Sequence, residues 1–310
     1  MKPLAAKEIT GTWGTLLLPI NADQSIDFEK LSDEIDYLLE TGVDGIYSNG
    51  TAGEFYAQTE EEYRRISVLL AEKCERAKLP FQIGATHSAP LLAAERAEFA
   101  AQLAPGAIQV ILPDWSALTF DEAASYLQAL AEKIAPIGIV LYNPPHAKRV
   151  LSPTELLKLT KKIPSLVGVK LLDGDENWYR EMTPVSAKIS VFVPGHHLAT
   201  GLSRGIAAGA YSNVACLQPK GAKSWNDLMS RDLQTALDIE RRIQLFMNEH
   251  IVPYRDLHGF SNQALDKFLA AIGGWAEVGT RLRFPYNSIA ADEAFKLRPA
   301  ARNLIPEIFI

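Results

Sequence analysis

The chain has 310 residues, 47% of them hydrophobic and 22% charged, with a formal net charge of -6. That length suits an α/β barrel carrying an extra segment, the apolar fraction is enough for a sizeable core, and an acidic balance without a basic stripe argues against nucleic acid as a partner. Two cysteines, Cys74 and Cys216, have no C-x-x-C spacing and the six histidines form no H-E-x-x-H pattern, so no disulfide framework, metal or cofactor is indicated; no apolar run reaches a membrane-spanning length, and a soluble, cytoplasmic protein without a membrane partner is expected.

The first apolar run, Thr15 to Ile20, reads as a strand entering a polar turn at Asn21-Ala22-Asp23, with Gly11-Thr12-Trp13-Gly14 before it. Phe28, Leu31, Ile35, Leu38 and Leu39 then recur at helical spacing, and Gly42 follows as a stop signal. The unit repeats. Gly45 to Ser48 is a second short strand, and Thr59 with Glu62 three residues on makes a capping box that opens a helix running towards Lys78. Leu79 to Ala85 is a third strand with its helix at Leu91 to Leu103, and Ala107 to Leu112 a fourth, followed by a second capping box at Thr119 and Glu122. Ile137 to Tyr142 is the fifth, and Ser152-Pro153-Thr154-Glu155 marks the next helix start with a capping serine, a first-turn proline and a reaching glutamate. Leu166 to Lys170 is the sixth strand, Ile189 to Val193 the seventh and Ala210 to Val214 the eighth, with a helix at Leu198 to Ala208 between the last two.

Eight strands, each followed by a helix, imply a parallel sheet closed into a (β/α)8 TIM barrel; an open doubly wound sheet would more often carry a glycine-rich phosphate loop after its first strand, and none is present. The strand signal stops near Lys220. Leu228 to His250, Asn262 to Ile272 and the tail from Ala290 all read as helical. The expected organisation is a barrel domain over 1–220 and a C-terminal helical extension over 221–310 packed on it.

In such a barrel, reacting groups come from the carboxyl ends of the strands. After strand two stands Asn49-Gly50-Thr51-Ala52-Gly53-Glu54, where two glycines flank a hydroxyl residue; this is either a tight βα turn or an anion cradle of backbone N–H groups. Strand five ends in Tyr142-Asn143-Pro144-Pro145, a tyrosine before a rigid turn. Strand six ends in Lys170, which either snorkels to solvent or, if buried, has its pKa lowered and its lone pair freed to attack a carbonyl.

Gly50-Thr51-Ala52-Gly53-Glu54, Tyr142-Asn143-Pro144-Pro145 and Gly168-Val169-Lys170 resemble the G-[ST]-T-G-E, Y-N-x-P and G-x-K motifs of the dihydrodipicolinate synthase and N-acetylneuraminate lyase family of Schiff-base-forming pyruvate aldolases. Their order and spacing match as well, and the similarity covers most of the barrel. The resemblance implies that Lys170 forms an imine with a small-molecule 2-oxo acid and that Tyr142 carries protons beside it. It further implies that Thr51 and Ala52 hold the substrate carboxylate, that Gly195 lets the chain pass close to the substrate, and that the protein is a homotetramer.

Three departures from the family pattern narrow the activity. Ala52 replaces a second threonine hydroxyl. Pro113-Asp114-Trp115 stands where synthases place a tyrosine shared between subunits, and an indole cannot relay a proton as a phenol does. The segment His146-Ala147-Lys148-Arg149 offers no clean match for the arginine that grips a second carboxylate. His196 and His197, where lyases of the family recognise hydroxyls, are candidates for a polyol tail, with Ser212 and Asn213 as further candidates; as loop histidines on a surface they would have no such role. A lyase cleaving or dehydrating a 2-keto-3-deoxy sugar acid is therefore favoured. The alternatives are a dihydrodipicolinate synthase-type enzyme, an aldolase that stacks an aromatic aldehyde on Trp115, and a non-catalytic relative that binds an oxo acid.

Overall fold

A computed structural model describes residues 1–211 and 213–310. Eight parallel strands close into a barrel in sequence order, with β1 returning to β8: β1 (Gly11–Thr15), β2 (Gly45–Ser48), β3 (Phe81–Gly84), β4 (Ala107–Ile111), β5 (Gly138–Asn143), β6 (Leu166–Leu171), β7 (Ser190–Phe192) and β8 (Gly209–Tyr211). The helices that follow the strands are α1 (Phe28–Glu40), α2 (Glu60–Ala77), α3 (Pro90–Gln102), α4 (Phe120–Ile134), α5 (Pro153–Lys162), α6 (Glu176–Ser186), α7 (Leu198–Ser203) and α8 (Val214–Leu217). Then come α9 (Pro219–Met229), α10 (Leu233–Phe246), α11 (Val252–Asp256), α12 (Asn262–Gly273) and α13 (Ala291–Leu304), with one π turn over Met247–Ile251 joining α10 to α11. The expected TIM barrel with a helical C-terminal part is the fold.

Local chemistry explains most element starts. Thr59, Thr119 and Ser152 each accept from the amide three residues on, and Glu62, Glu122 and Glu155 reach back to the cap amides, so all three capping boxes form. Side chains alternate across each strand, which divides the apolar residues between two layers. Ile139, Leu141, Val169 and Leu171 face the helices, whereas Trp13, Tyr47, Val140, Val167, Phe192 and Tyr211 pack inside the barrel.

Four elements differ from the sequence reading, one of them the helix expected at Leu198 to Ala208, which ends at Ser203. The first strand is the glycine-rich Gly11–Thr15 and not Thr15 to Ile20. Trp13 fills the barrel floor and needs a neighbour without a side chain, since a Cβ on Gly45 would meet its ring at 2.5 Å; Leu16, Leu17 and Leu18 are buried after the strand, under the helices. The eighth strand stops at Tyr211, because Asn213 has φ 36° and Val214 already opens a helix. The expected helix from Leu228 to His250 is broken at 230–232, where Asp232 caps α10 by accepting from Thr235 N at 3.0 Å.

The C-terminal helices are tied to the barrel mouth by buried ions. Lys267 on α12 and Glu54, at the end of the turn after β2, are both 0% exposed and meet at 2.6 Å. Arg283 N donates to the other oxygen of Glu54 at 2.9 Å, and its guanidinium clasps Glu62. Contacts of α12 with α8, and of α8 and α9 with β1, complete the seat.

Candidate active site

β5 and β6 pair so that Tyr142 lies directly opposite Lys170. Both alternate inward, and Lys170 Nζ sits 4.4 Å from the centre of the Tyr142 ring and 5.5 Å from that of Tyr211. They open into a cavity of about 260 Å3 that is also lined by Thr51, Ala52, Tyr47, His196, Asn213 and, from the C-terminal helices, Asp266. A second cavity of about 380 Å3 adjoins it, sharing Thr51 and His146. Burial lowers the Lys170 pKa, opposed in part by the Asp266 charge. The Tyr142 phenol is pushed up to about 12 by burial and then by Asp266, so at neutral pH it holds its proton and is a donor.

The turn after β2 is built by close approach. A Cβ on Gly50 would meet the Tyr47 ring at 2.4 Å, while the left-handed positions belong to Asn49 (φ 55°) and Glu54 (φ 52°). Its closing bonds run from Glu54 N to Thr51 O (3.0 Å) and from Phe55 N to Gly50 O (3.3 Å), in which the Thr51 and Ala52 amides take no part. Lys267 and Arg283 N both donate to Glu54, which ties the end of the turn to the C-terminal part of the chain.

His196 and His197 are adjacent in sequence and separate in environment, although their rings lie 4.3 Å apart. His196 lines the Lys170 cavity, and Asn213 Nδ2 donates to its Nδ1 at 2.7 Å, which leaves Nε2 as the nitrogen that carries the proton of the neutral ring. Burial, and then the His197 charge, push its pKa down to about 4. His197 is 34% exposed and pairs with Asp173 at 2.8 Å, whose other partner is the Tyr179 hydroxyl; that hydrogen bond raises the His197 pKa. The turn that carries both is fixed by α10, where Gln244 donates to His196 O and Glu240 accepts from the Ala199 and Thr200 amides.

Lys170, Tyr142, Thr51, Ala52 and His196 are thus brought together, and three other candidates are not. His197 points to Asp173 instead of the cavity. Gly195 lines a separate small void beside Thr12 and Leu198, because its turn faces the helix layer. Trp115 is 87% exposed, with Lys148 Nζ 4.9 Å above its ring, and lines neither cavity, since β4 ends before the segment that carries it. Ser212 lies outside the described residues. The sequence reading missed Asp266, yet a signal was present: Asn262, Leu265, Asp266 and Leu269 recur at i, i+3, i+4 and i+7, one face of α12, and all four line the cavity.

Residues 8–303 match the model of the Dihydrodipicolinate synthetase family. This chain belongs to that family. It is therefore a lyase of the kind the family comprises, an expectation of the sequence motifs that the match bears out. The chain is 26% identical over 238 residues to 4-hydroxy-tetrahydrodipicolinate synthase of Bartonella bacilliformis, a match covering 76% of this chain and 80% of that one. It is 24% identical to N-acetylneuraminate lyase of Enterobacter sp. (strain 638), over 55% of this chain and 57% of that one. Two solved structures share the fold: YagE of E. coli K12 in complex with pyruvate (TM-score 0.82, 20% identity, 96% of this chain and 98% of that one) and Ruminococcus gnavus sialic acid aldolase (0.81, 21%, 97% and 98%). Among the described residues of this family member, no helix is long and apolar enough to cross a membrane.

Proposed function

We propose that this protein is a Schiff-base-forming lyase that binds a 2-oxo acid as an imine on Lys170 and cleaves or dehydrates a 2-keto-3-deoxy sugar acid. The observation that carries the reading is the pairing of Lys170 with Tyr142 at the mouth of the barrel, with an amine that burial drives towards its neutral, nucleophilic form. The Lys170 nitrogen attacks the keto carbon, and the iminium that forms draws electrons from the neighbouring carbon, so that a C–C bond or a hydroxyl leaves through an enamine. Tyr142, protonated at neutral pH and beside the lysine, moves the protons. The Thr51 hydroxyl and the amides of Thr51 and Ala52, which have no part in the closing bonds of the turn, receive the substrate carboxylate.

Support for a polyol tail comes from the far wall of the cavity. His196, Asn248, Asn262 and Arg255 line it and carry hydrogen-bond donors, and a sugar-acid chain offers hydroxyls to match. Trp115, exposed and outside the cavity, gives an aromatic aldehyde no comparable surface. A cytoplasmic homotetramer remains the assembly and location we propose.

Borohydride reduction in the presence of pyruvate, followed by peptide mass spectrometry, tests the first step: the adduct falls on Lys170. A turnover panel of sugar-derived oxo acids, aromatic oxo acids, and pyruvate with aspartate semialdehyde tests the second. Turnover of the first group alone is expected, and activity on aspartate semialdehyde alone rejects the substrate class. A trapped imine without turnover on any of them favours the oxo-acid-binding relative, for which the hydroxyl missing at Ala52 is the motivating observation.

A further inference from the structure

We propose that Asp266 is the proton partner and counter-charge of Lys170, a carboxylate carried over the barrel mouth by α12 that takes a proton from the lysine ammonium and returns it when water leaves. This rests on the reading that Lys170 forms an imine.

The geometry has three parts. Asp266 lines the same cavity as Lys170 and Tyr142, and it is the one acidic side chain among the described residues that line it. Asn213, on the same cavity wall, and Cys216 both favour the charged form of Asp266. Asn213 has a left-handed backbone, φ 36°, that a non-glycine residue adopts only when its surroundings enforce it. The same asparagine accepts from Val214 N through Oδ1 at 2.6 Å and donates through Nδ2 to His196, so Asn213 and His196 form a hydrogen-bonded pair on the wall that Asp266 shares. Lys267, the next residue on α12, is locked to Glu54, which sets the rotation of the helix and hence the aim of Asp266.

Electrostatics agree with this placement. Lys170 is faced by Tyr142 from β5, Tyr211 from β8, Cys216 from α8 and Asp266 from α12, with Tyr47, His146, His196 and Arg255 elsewhere on the cavity wall. Burial pushes the Asp266 carboxyl up to about 6, with the Lys170 charge the largest opposing influence. A carboxyl in that range exchanges protons readily near neutral pH.

The step balances as follows. A water molecule in the cavity relays one proton from the Lys170 ammonium to the Asp266 carboxylate, leaving a neutral amine and a carboxylic acid. The nitrogen bonds to the keto carbon, and the proton it sheds goes to the keto oxygen, giving a neutral carbinolamine. The C–O bond then breaks, the hydroxyl leaves as water with the Asp266 proton, and the nitrogen lone pair closes an iminium facing the restored carboxylate. One ammonium and one ketone become one iminium and one water, with no change of oxidation state.

The test is the pH profile of pyruvate-dependent borohydride inactivation in the wild type, Asp266→Asn, Asp266→Ala and Asp266→Glu, with thermal melts to establish that each folds. Loss of the charge moves the Lys170 midpoint down by about one pH unit in Asp266→Asn and Asp266→Ala, while Asp266→Glu stays near the wild type. A folded Asp266→Asn or Asp266→Ala with the wild-type midpoint overturns the proposal, whereas a wild type that traps no pyruvate overturns the Schiff-base reading itself. Should neither neutral variant fold, the wild type decides by infrared spectroscopy near pH 6. There, adding pyruvate places a permanent positive charge beside Asp266 and bleaches a protonated-carboxyl band; an unchanged band overturns the assignment.

Discussion

Lys267 and Lys170 are both withdrawn from bulk solvent, the first completely and the second in part, and they differ in what meets the charge. Lys267 is clamped by Glu54 at 2.6 Å and by the carbonyl of Arg281. Lys170 makes no ion pair among the described residues, and faces aromatic rings and the more distant Asp266. Burial lowers both pKa values. Pairing decides the outcome: an ammonium with a carboxylate in contact stays charged and joins two parts of the fold, whereas one without is held at a cost that its neutral form relieves. A buried lysine is therefore a structural tie or a nucleophile according to its nearest carboxylate.

Substituting each lysine by methionine separates the two roles most strongly. Lys170→Met abolishes turnover and borohydride trapping while its melting temperature equals or exceeds that of the wild type, since an unpaired amine is replaced by an apolar chain of similar length. Loss of fold in that variant would break the comparison. Lys267→Met leaves Glu54 buried without its cation and destabilises the fold by about 3–5 kcal/mol, read by denaturant melts. A neutral result there would mean that the Glu54 contact does not hold the turn.

Tyr142→Phe sharpens the assignment at the reactive end. Removing the phenol O–H lowers turnover by about 100-fold or more while pyruvate is still trapped on Lys170, because the nucleophile is retained and the proton carrier lost. Equal loss of both steps would assign Tyr142 to positioning the amine. The smallest effect belongs to the Asp173 and His197 pair, where the His197 pKa is raised above 6.5 and that of Asp173 lowered below 3.8. The histidine contribution is complete below about pH 6.5 and fades as pH rises through the raised value; the aspartate contribution is complete above about pH 4 and fades as pH falls. His197→Gln thus costs stability mainly between about pH 4 and 6.5, by less than about 1 kcal/mol given the one-third exposure of the ring. A melting-temperature gap that widens at pH 8.5 relative to pH 5.5 would contradict that sign.

Short-range chemistry made much of this molecule legible in its sequence. The three capping boxes, the alternation of apolar runs and helical stripes from the second unit to the sixth, and the placing of Tyr142 and Lys170 near the ends of their strands depend on neighbours a few residues away, and these occupy the elements expected of them. The first strand was misplaced because Gly11 to Thr15 is defined by the space that Trp13 takes from Gly45, a contact between two strands. His196 and His197 are indistinguishable as a pair of letters. Only the packing of Asn213 against one and Asp173 against the other divides them, just as only the fold of α12 over the mouth brings Asp266 to Lys170 from 96 residues further along the chain. Periodicity and capping are properties of a segment and can be read from it; a pKa or a role at a site belongs to the groups that surround a side chain, and those are chosen when the barrel closes.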